Sequence, residues 1–328
     1  MKKPWYVLSA VLISCIPILL LPSLSFASAL EGPLQVKNQF PVFLPINQPY
    51  LEQASTETSF SLSLSHSSVY VVKDSAQWSA HLDIELTELD LRYKKDIPGL
   101  FEIGIDVPVV RATAGFMDRP LAGYHRTFGF GDYGRSSRPK NDFLYETGKD
   151  GAPVVEGDND RTGFGDVRLT MKKKITETDP VISVLADVEL PSGNARVGYG
   201  NGSVDTGVAM LLDKNLGAET RLYANLGAVF PGDLKALQDI ALNNFYYTGA
   251  GIESLVWPRV GLLAQLLVQT SPYPHTGISQ IDDTGMVLVL GGRYYYADAG
   301  SFEFSLTEDP NTTGAPDFIL NVTWKKKF

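Results

Sequence analysis

Cysteine is almost missing from this 328-residue chain: Cys15 is its only one. That residue lies inside an N-terminal segment with the features of a cleaved leader. The remaining chain therefore has no thiol for a disulfide scaffold, a thiolate metal site or redox catalysis. Long apolar runs are missing too. Beyond residue 29 nothing approaches about 18 consecutive apolar residues, so no spanning helix is available. A positive balance is also lacking, because the formal net charge is −9. Nucleic acid and anionic headgroups, which call for basic patches, are excluded as main partners. The histidines, His66, His81, His125 and His275, fall on separate segments without ligand spacing. No metal site and no cofactor is expected.

What is present begins with Lys2 and Lys3, an apolar stretch from about Trp5 to Leu24, and Ala27-Ser28-Ala29. This order of charged, apolar and small residues is that of a secretory signal peptide over residues 1–29, cut after Ala29. Pro17 and Pro22 interrupt the apolar run and argue against a retained anchor. Leu12-Ile13-Ser14-Cys15 has the outline of a lipoprotein box, but the apolar residues continue beyond it, which disfavours lipidation there.

Residues 59–65 read SFSLSLS, with serine at every second position. A period of two is the side-chain period of a strand. It returns along the chain: Trp78 to Leu86 against Ser79 to Thr87, Phe101 to Val109 against Glu102 to Asp106, and Phe318 to Trp324 against Asp317 to Lys325. About twelve such segments can be counted, most of roughly 9–11 residues, the length of a tilted strand crossing hydrocarbon. Their connections alternate. KKDIPG, TETDP, DKNLGAE, WPR and YADAG are short, while 111–164, 191–203, 231–244, 271–284 and 309–316 are mostly longer. Short turns on one side and long loops on the other are the asymmetry of an outer-membrane barrel. The expected fold is therefore all-β: a transmembrane antiparallel up-and-down barrel over residues 58–328, with a long external loop at 111–164.

Residues 30–57 precede the first strand. Pro33, Pro41, Pro45 and Pro49 oppose both helix and ladder pairing, so this segment should be extended, on the periplasmic side, and able to plug the lumen. The alternation assigns Asp83, Glu85, Glu102, Asp106, Arg168, Lys172, Arg221, Arg293 and Glu303 to the lumen, with Asp187, Glu189, Asp317 and Lys325. They suit either a channel for small solutes or a lattice of cross-strand ion pairs. The aromatic and glycine-rich loop at 111–164 suggests a folded cap or constriction. Asp158, Asp160 and Asp166 lack the spacing of a calcium loop. A competing class is a lipid hydrolase at the barrel rim, of phospholipase or lipid-A deacylase type, for which His66 and Ser67 offer a local pair.

The final strand, FILNVTWKKKF, places Phe318, Leu320, Val322, Trp324 and Phe328 in phase. Such an aromatic-ended strand is similar to the signal read by the outer-membrane insertion machinery, which with outer-membrane lipid is an expected partner. GPLQVKNQFPVF, YHRTFGFGDYGR, VELPSG and this strand together resemble an uncharacterised bacterial family, domain of unknown function 3187, over nearly the whole chain after the leader. The resemblance implies an outer-membrane protein and carries no catalytic residues. VELPSG with its glycine-rich sequel also looks like barrels that handle hydrophobic compounds. The expected function is a conduit for small solutes or a plugged envelope protein.

Overall fold

The computed structural model describes residues 30–128, 138–297 and 299–328. Twelve strands form the closed antiparallel barrel. They are β1 (Ser59–Asp74), β2 (Trp78–Ile97), β3 (Phe101–Thr113), β7 (Val167–Lys174), β8 (Val181–Leu190), β9 (Asp205–Asn215), β10 (Thr220–Phe230), β13 (Phe245–Trp257), β14 (Val260–Gln269), β15 (Gly285–Ala297), β16 (Gly300–Glu308) and β17 (Phe318–Lys327). Each pairs with its neighbour in chain order, and β1 closes on β17 from Ser59↔Lys327 to Ser68↔Phe318. Closure leaves the barrel without an open edge, the condition for a sheet in hydrocarbon.

Outside the membrane-crossing part lie β4 (Leu144–Lys149), β5 (Ala152–Glu156), β6 (Arg161–Phe164), β11 (Leu234–Lys235) and β12 (Asp239–Ile240), and the helices α1 (Asp118–Phe128) and α2 (Ser279–Asp282). β4 takes over from β3 as the partner of β2 above Asp83, and β5 pairs with β4. Leu237 N donates to Val154 O at 3.0 Å, tying the 231–244 loop to this hairpin over the external mouth. Part of YHRTFGFGDYGR, and the whole of 1–29, lie outside the described residues.

The outer wall is apolar where it meets lipid. Leu64, Leu91, Ile105, Met210, Leu262 and Val322 are exposed there. An aromatic cluster marks the inner boundary: Trp324 Nε1 donates to Tyr296 Oη at 3.0 Å, and Phe60 meets Trp324 edge-on with centroids 6.1 Å apart. Amphipathic rings of this kind settle at headgroup level. The short turns and the C-terminus share that inner end; the long loops share the other.

β2 shows how the sheet adapts along its length. Leu89, Leu91 and Tyr93 face outward and Glu88, Asp90, Arg92 and Lys94 inward; nearer the external end Trp78, Ala80, Leu82, Ile84 and Leu86 face inward. The apolar face changes sides between Leu86 and Leu89, although the register with β1 runs unbroken from Ser59↔Lys94 to Asp74↔Ser79. The reason is the content of the barrel at that level. Phe40, Val42, Phe43 and Ile46 occupy the external half of the lumen and pack on these residues.

Candidate functional site: the filled lumen

Residues 30–57 run inside the barrel as two arms joined by a turn. The ascending arm rises from the inner end, where Gly32 N donates to Glu253 Oε2 at 3.1 Å, past Gln265, which receives Leu34 N at 2.9 Å, to Asn38, whose amide donates to Gly314 O at 2.6 Å. The chain then reverses through residues 40–46, with Phe43 N and Leu44 N both bonded to Phe40 O. Pro41 and Pro45 fall in this reversal, where a fixed φ favours a turn. The segment thus turns back on itself within the lumen, where the sequence suggested an extended periplasmic segment able to plug it. The descending arm returns through Asn47, bonded to Asp205 and Asp187, and Tyr50, whose hydroxyl meets Asp90 Oδ2 at 2.5 Å. Glu57 leads it into β1, held by Lys325 Nζ at 2.7 Å.

Two glycine positions let the arms approach so closely. A Cβ on Gly251 would lie 2.9 Å from Leu51 Cδ2, and one on Gly291 would lie 2.8 Å from Leu34 Cδ1. A larger residue would push the arm off the wall.

Charge is concentrated on one side. Glu52 accepts from Arg92 and, at 2.7 Å, from Lys94. Arg92 also meets Asp106 at 2.8 Å and lies 4.6 Å over the Tyr50 ring. Lys172 joins Glu102 at 3.0 Å and donates to Ser55 O at 2.7 Å; Arg168 meets Asp187 at 3.0 Å. At the inner end Arg293 binds Glu253 and, at 2.7 Å, Glu303. Lys37 Nζ reaches Glu88 at 3.0 Å from the ascending arm. Buried charges held this way tolerate burial because each has a partner.

Glu102, Asp106, Arg168, Lys172, Arg293 and Glu303 line the lumen, as do Asp187, Glu189 and Lys325. Arg221 has the inward parity but sits half-buried at the inner rim, bonded to Asn215 at 2.9 Å. Asp83 and Glu85 are corrections. They lie on the outer face of β2 and are buried because residues on either side of the external loop cover them: Phe116 N and Met117 N donate to Glu85, and Arg138 to Asp83 at 2.9 Å. Asp317 precedes β17, in the external loop. Lys37, Glu52, Glu57, Arg92, Lys94 and Glu253 belong to the network and were not singled out from the sequence. The change of apolar phase at Leu86–Leu89 is the sequence signal by which Arg92 and Lys94 could have been found.

The hydrolase pair does not assemble. His66 faces outward, its ring bonded to Thr87 and Glu85 at 2.8 Å each, whereas Ser67 faces the lumen and is fully buried. Asp158 and Asp160 are taken up by Arg161 and Arg111. Asp166 receives Gly193 N at 2.7 Å and Asn201 N at 3.0 Å, and burial pushes its carboxyl up to about 6. Among the described residues no cluster could hold a metal ion. Phe318, Leu320, Val322 and Trp324 lie on the lipid face, and Phe328 is exposed with its N–H bonded to Thr58 O.

A family model described as a protein of unknown function, DUF3187, matches residues 8–328. The chain belongs to the DUF3187 family. No curated protein matches it. Among solved structures, the COG4313 outer membrane channel from Pseudomonas putida F1 is similar with a TM-score of 0.58 and 14% identity, over 85% of this chain and 98% of that one. A NanC porin gives a TM-score of 0.49 at 6% identity, over 82% of this chain and 100% of the other. The fold of this DUF3187 member is that of the outer-membrane barrel channels, and its closed wall with an apolar girdle places it in the outer membrane.

Proposed function

We propose that this protein is an outer-membrane conduit for small solutes, closed at rest by residues 30–57, and not an enzyme. One observation carries the reading: the lumen is occupied by a segment of its own chain, held by hydrogen bonds and ion pairs that can be exchanged. A barrel of this size is wide enough for a narrow water path once emptied. At the inner end the space among Gln35, Glu57, Lys94 and Lys325 is only about 10 Å³, room for one water at most. Residues 1–29 serve as the signal peptide in this reading, 58–328 as the barrel, and Phe318, Leu320, Val322, Trp324 and Phe328 as the insertion signal.

The test is conductance in a planar bilayer. The native protein should show brief discrete openings, and Lys37→Met, which removes the ion pair to Glu88, should lengthen them severalfold. Silence from both proteins, correctly folded, would sink the proposal.

A further inference from the structure

The two arms do not have equal freedom. The descending arm continues into β1 and cannot leave, whereas the ascending arm, once residues 1–29 are cut away as proposed, is joined to it only through the turn at 40–46. The wall behind the ascending arm runs from β13 to β17 and on to β1, with β17 and β1 behind its middle stretch. Ser61 and Ser63 there donate to Gln35 Oε1, and Ser65 receives the Gln39 amide at 2.8 Å. Ser63 meets Thr323 across the seam at 2.8 Å.

The same wall holds hydrogen-bonding atoms without partners among the described residues: Ser67 Oγ, Ser305 Oγ, Thr307 Oγ1 and Asn321 Oδ1, with Gln39 Oε1 on the arm. These residues are at most 2% exposed. Ladder pairing sets them side by side, Asn321 opposite Ser305 and Thr307 opposite Ile319, which is in turn opposite Ser67. Buried atoms without a hydrogen-bond partner occur elsewhere in the lumen as carboxylates, amides and guanidinium nitrogens, but the hydroxyls among them all fall on this wall, and buried polar atoms are nearly always satisfied, which marks it as a place where a hydroxyl partner bonds.

Charge along this path is balanced. At its inner end Arg293, Lys325 and Lys327 stand against Glu253, Glu303 and Glu57. Glu31 and Lys37 both travel with the arm, one acid and one base, so the balance holds when it leaves and small ions pass as well. At the outer end a cavity of about 280 Å³ lies among Phe40, Val71, Gln280, Thr312 and Ala315.

We propose that the ascending arm is the removable part of the closure and that the passage it uncovers along β16, β17 and β1 carries uncharged solutes rich in hydroxyl groups, of small-sugar size. This rests on the conduit reading and adds the solute class. An uncharged polyol can satisfy hydroxyls and amides without the desolvation a carboxylate would pay against the uncharged stretch of wall around Ser67, Ser305 and Asn321.

The test uses the full chain, which has no cysteine after residue 29. Gln35→Cys with Ser63→Cys, or with Ser61→Cys should the first cross-link be strained, allows the arm to be locked by oxidation and released by reduction. Proteoliposome swelling with glucose, gluconate and glucosamine is measured beside potassium chloride conductance. The reduced protein should pass glucose severalfold faster than gluconate, and oxidation should stop it. Ser305→Ala with Thr307→Val, which remove the hydroxyls without adding bulk, should cut the glucose rate severalfold and lower the salt conductance by a clearly smaller factor. Swelling with gluconate as fast as with glucose, or a glucose rate indifferent to the seam substitutions, would overturn the solute class and leave the conduit standing. Neither current nor swelling in the reduced protein would bring down both.

Discussion

The two sides of the lumen hold the same segment by different means. On the side of β2, β3 and β7 to β9 the descending arm is bound by charges: Glu52 to Arg92 and Lys94, Tyr50 to Asp90, Ser55 to Lys172 and Asp213. On the side of β16, β17 and β1 the ascending arm meets hydroxyls and amides, with Ser61, Ser63, Ser65 and Asn321 around Gln35 and Gln39. Water replaces a neutral hydrogen bond at a net cost of about 0.5–1.5 kcal/mol. Breaking one partner of a buried ion pair costs about 3–5 kcal/mol, because the other charge is stranded. Above its inner end, where Arg293 and Lys325 hold Glu31, the ascending arm keeps one ion pair, Lys37 to Glu88, and its other bonds are neutral ones that can open.

The comparison is broken most easily at Arg92. Arg92→Met strands Asp106, leaves Glu52 with Lys94 alone, and should lower stability by about 3–5 kcal/mol in denaturant titrations of the refolded barrel. An effect no larger than that of a serine substitution would erase the distinction. Ser63→Ala, which loses contacts to Thr323 and Gln35, should cost about 1 kcal/mol or less by the same titration. A loss above about 3 kcal/mol would mean that the seam also anchors.

The smallest effect concerns the outer end of the seam. Burial pushes the Asp309 carboxyl up from 3.8 to about 7. The loop favours the neutral acid, so its contribution to stability is complete below about pH 4 and lost as pH rises through 7. Hydrogen exchange of residues 309–317, corrected for intrinsic rates, should show protection falling severalfold from pH 4 to 8. Asp309→Asn should flatten the profile, and an equal fall in that variant would exclude the carboxyl as its cause.

Much of the wall could be read before folding. Alternation in SFSLSLS and FILNVTW, and the parity of KKDIPG, TETDP and WPR against the long loops, are local properties of strands and turns. The inside of the barrel was harder to read. Asp83 and Glu85 alternate with apolar residues just as Glu102 and Asp106 do, and a period of two does not say which face is which. Arg92 and Lys94 were hidden similarly, because their partner Glu52 lies 40 and 42 residues away in sequence.

By itself, the order of residues determined that this chain makes strands of membrane-crossing length, joined alternately by short and long links, because each depends on neighbours within a few positions. Only the tertiary structure decided that Phe40, Val42 and Phe43 fill the external half of the lumen and so turn Leu82, Ile84 and Leu86 inward and Asp83 and Glu85 outward. Apolar side chains follow whichever surface is dry. In the membrane that is the outside of the barrel, and above it the inside.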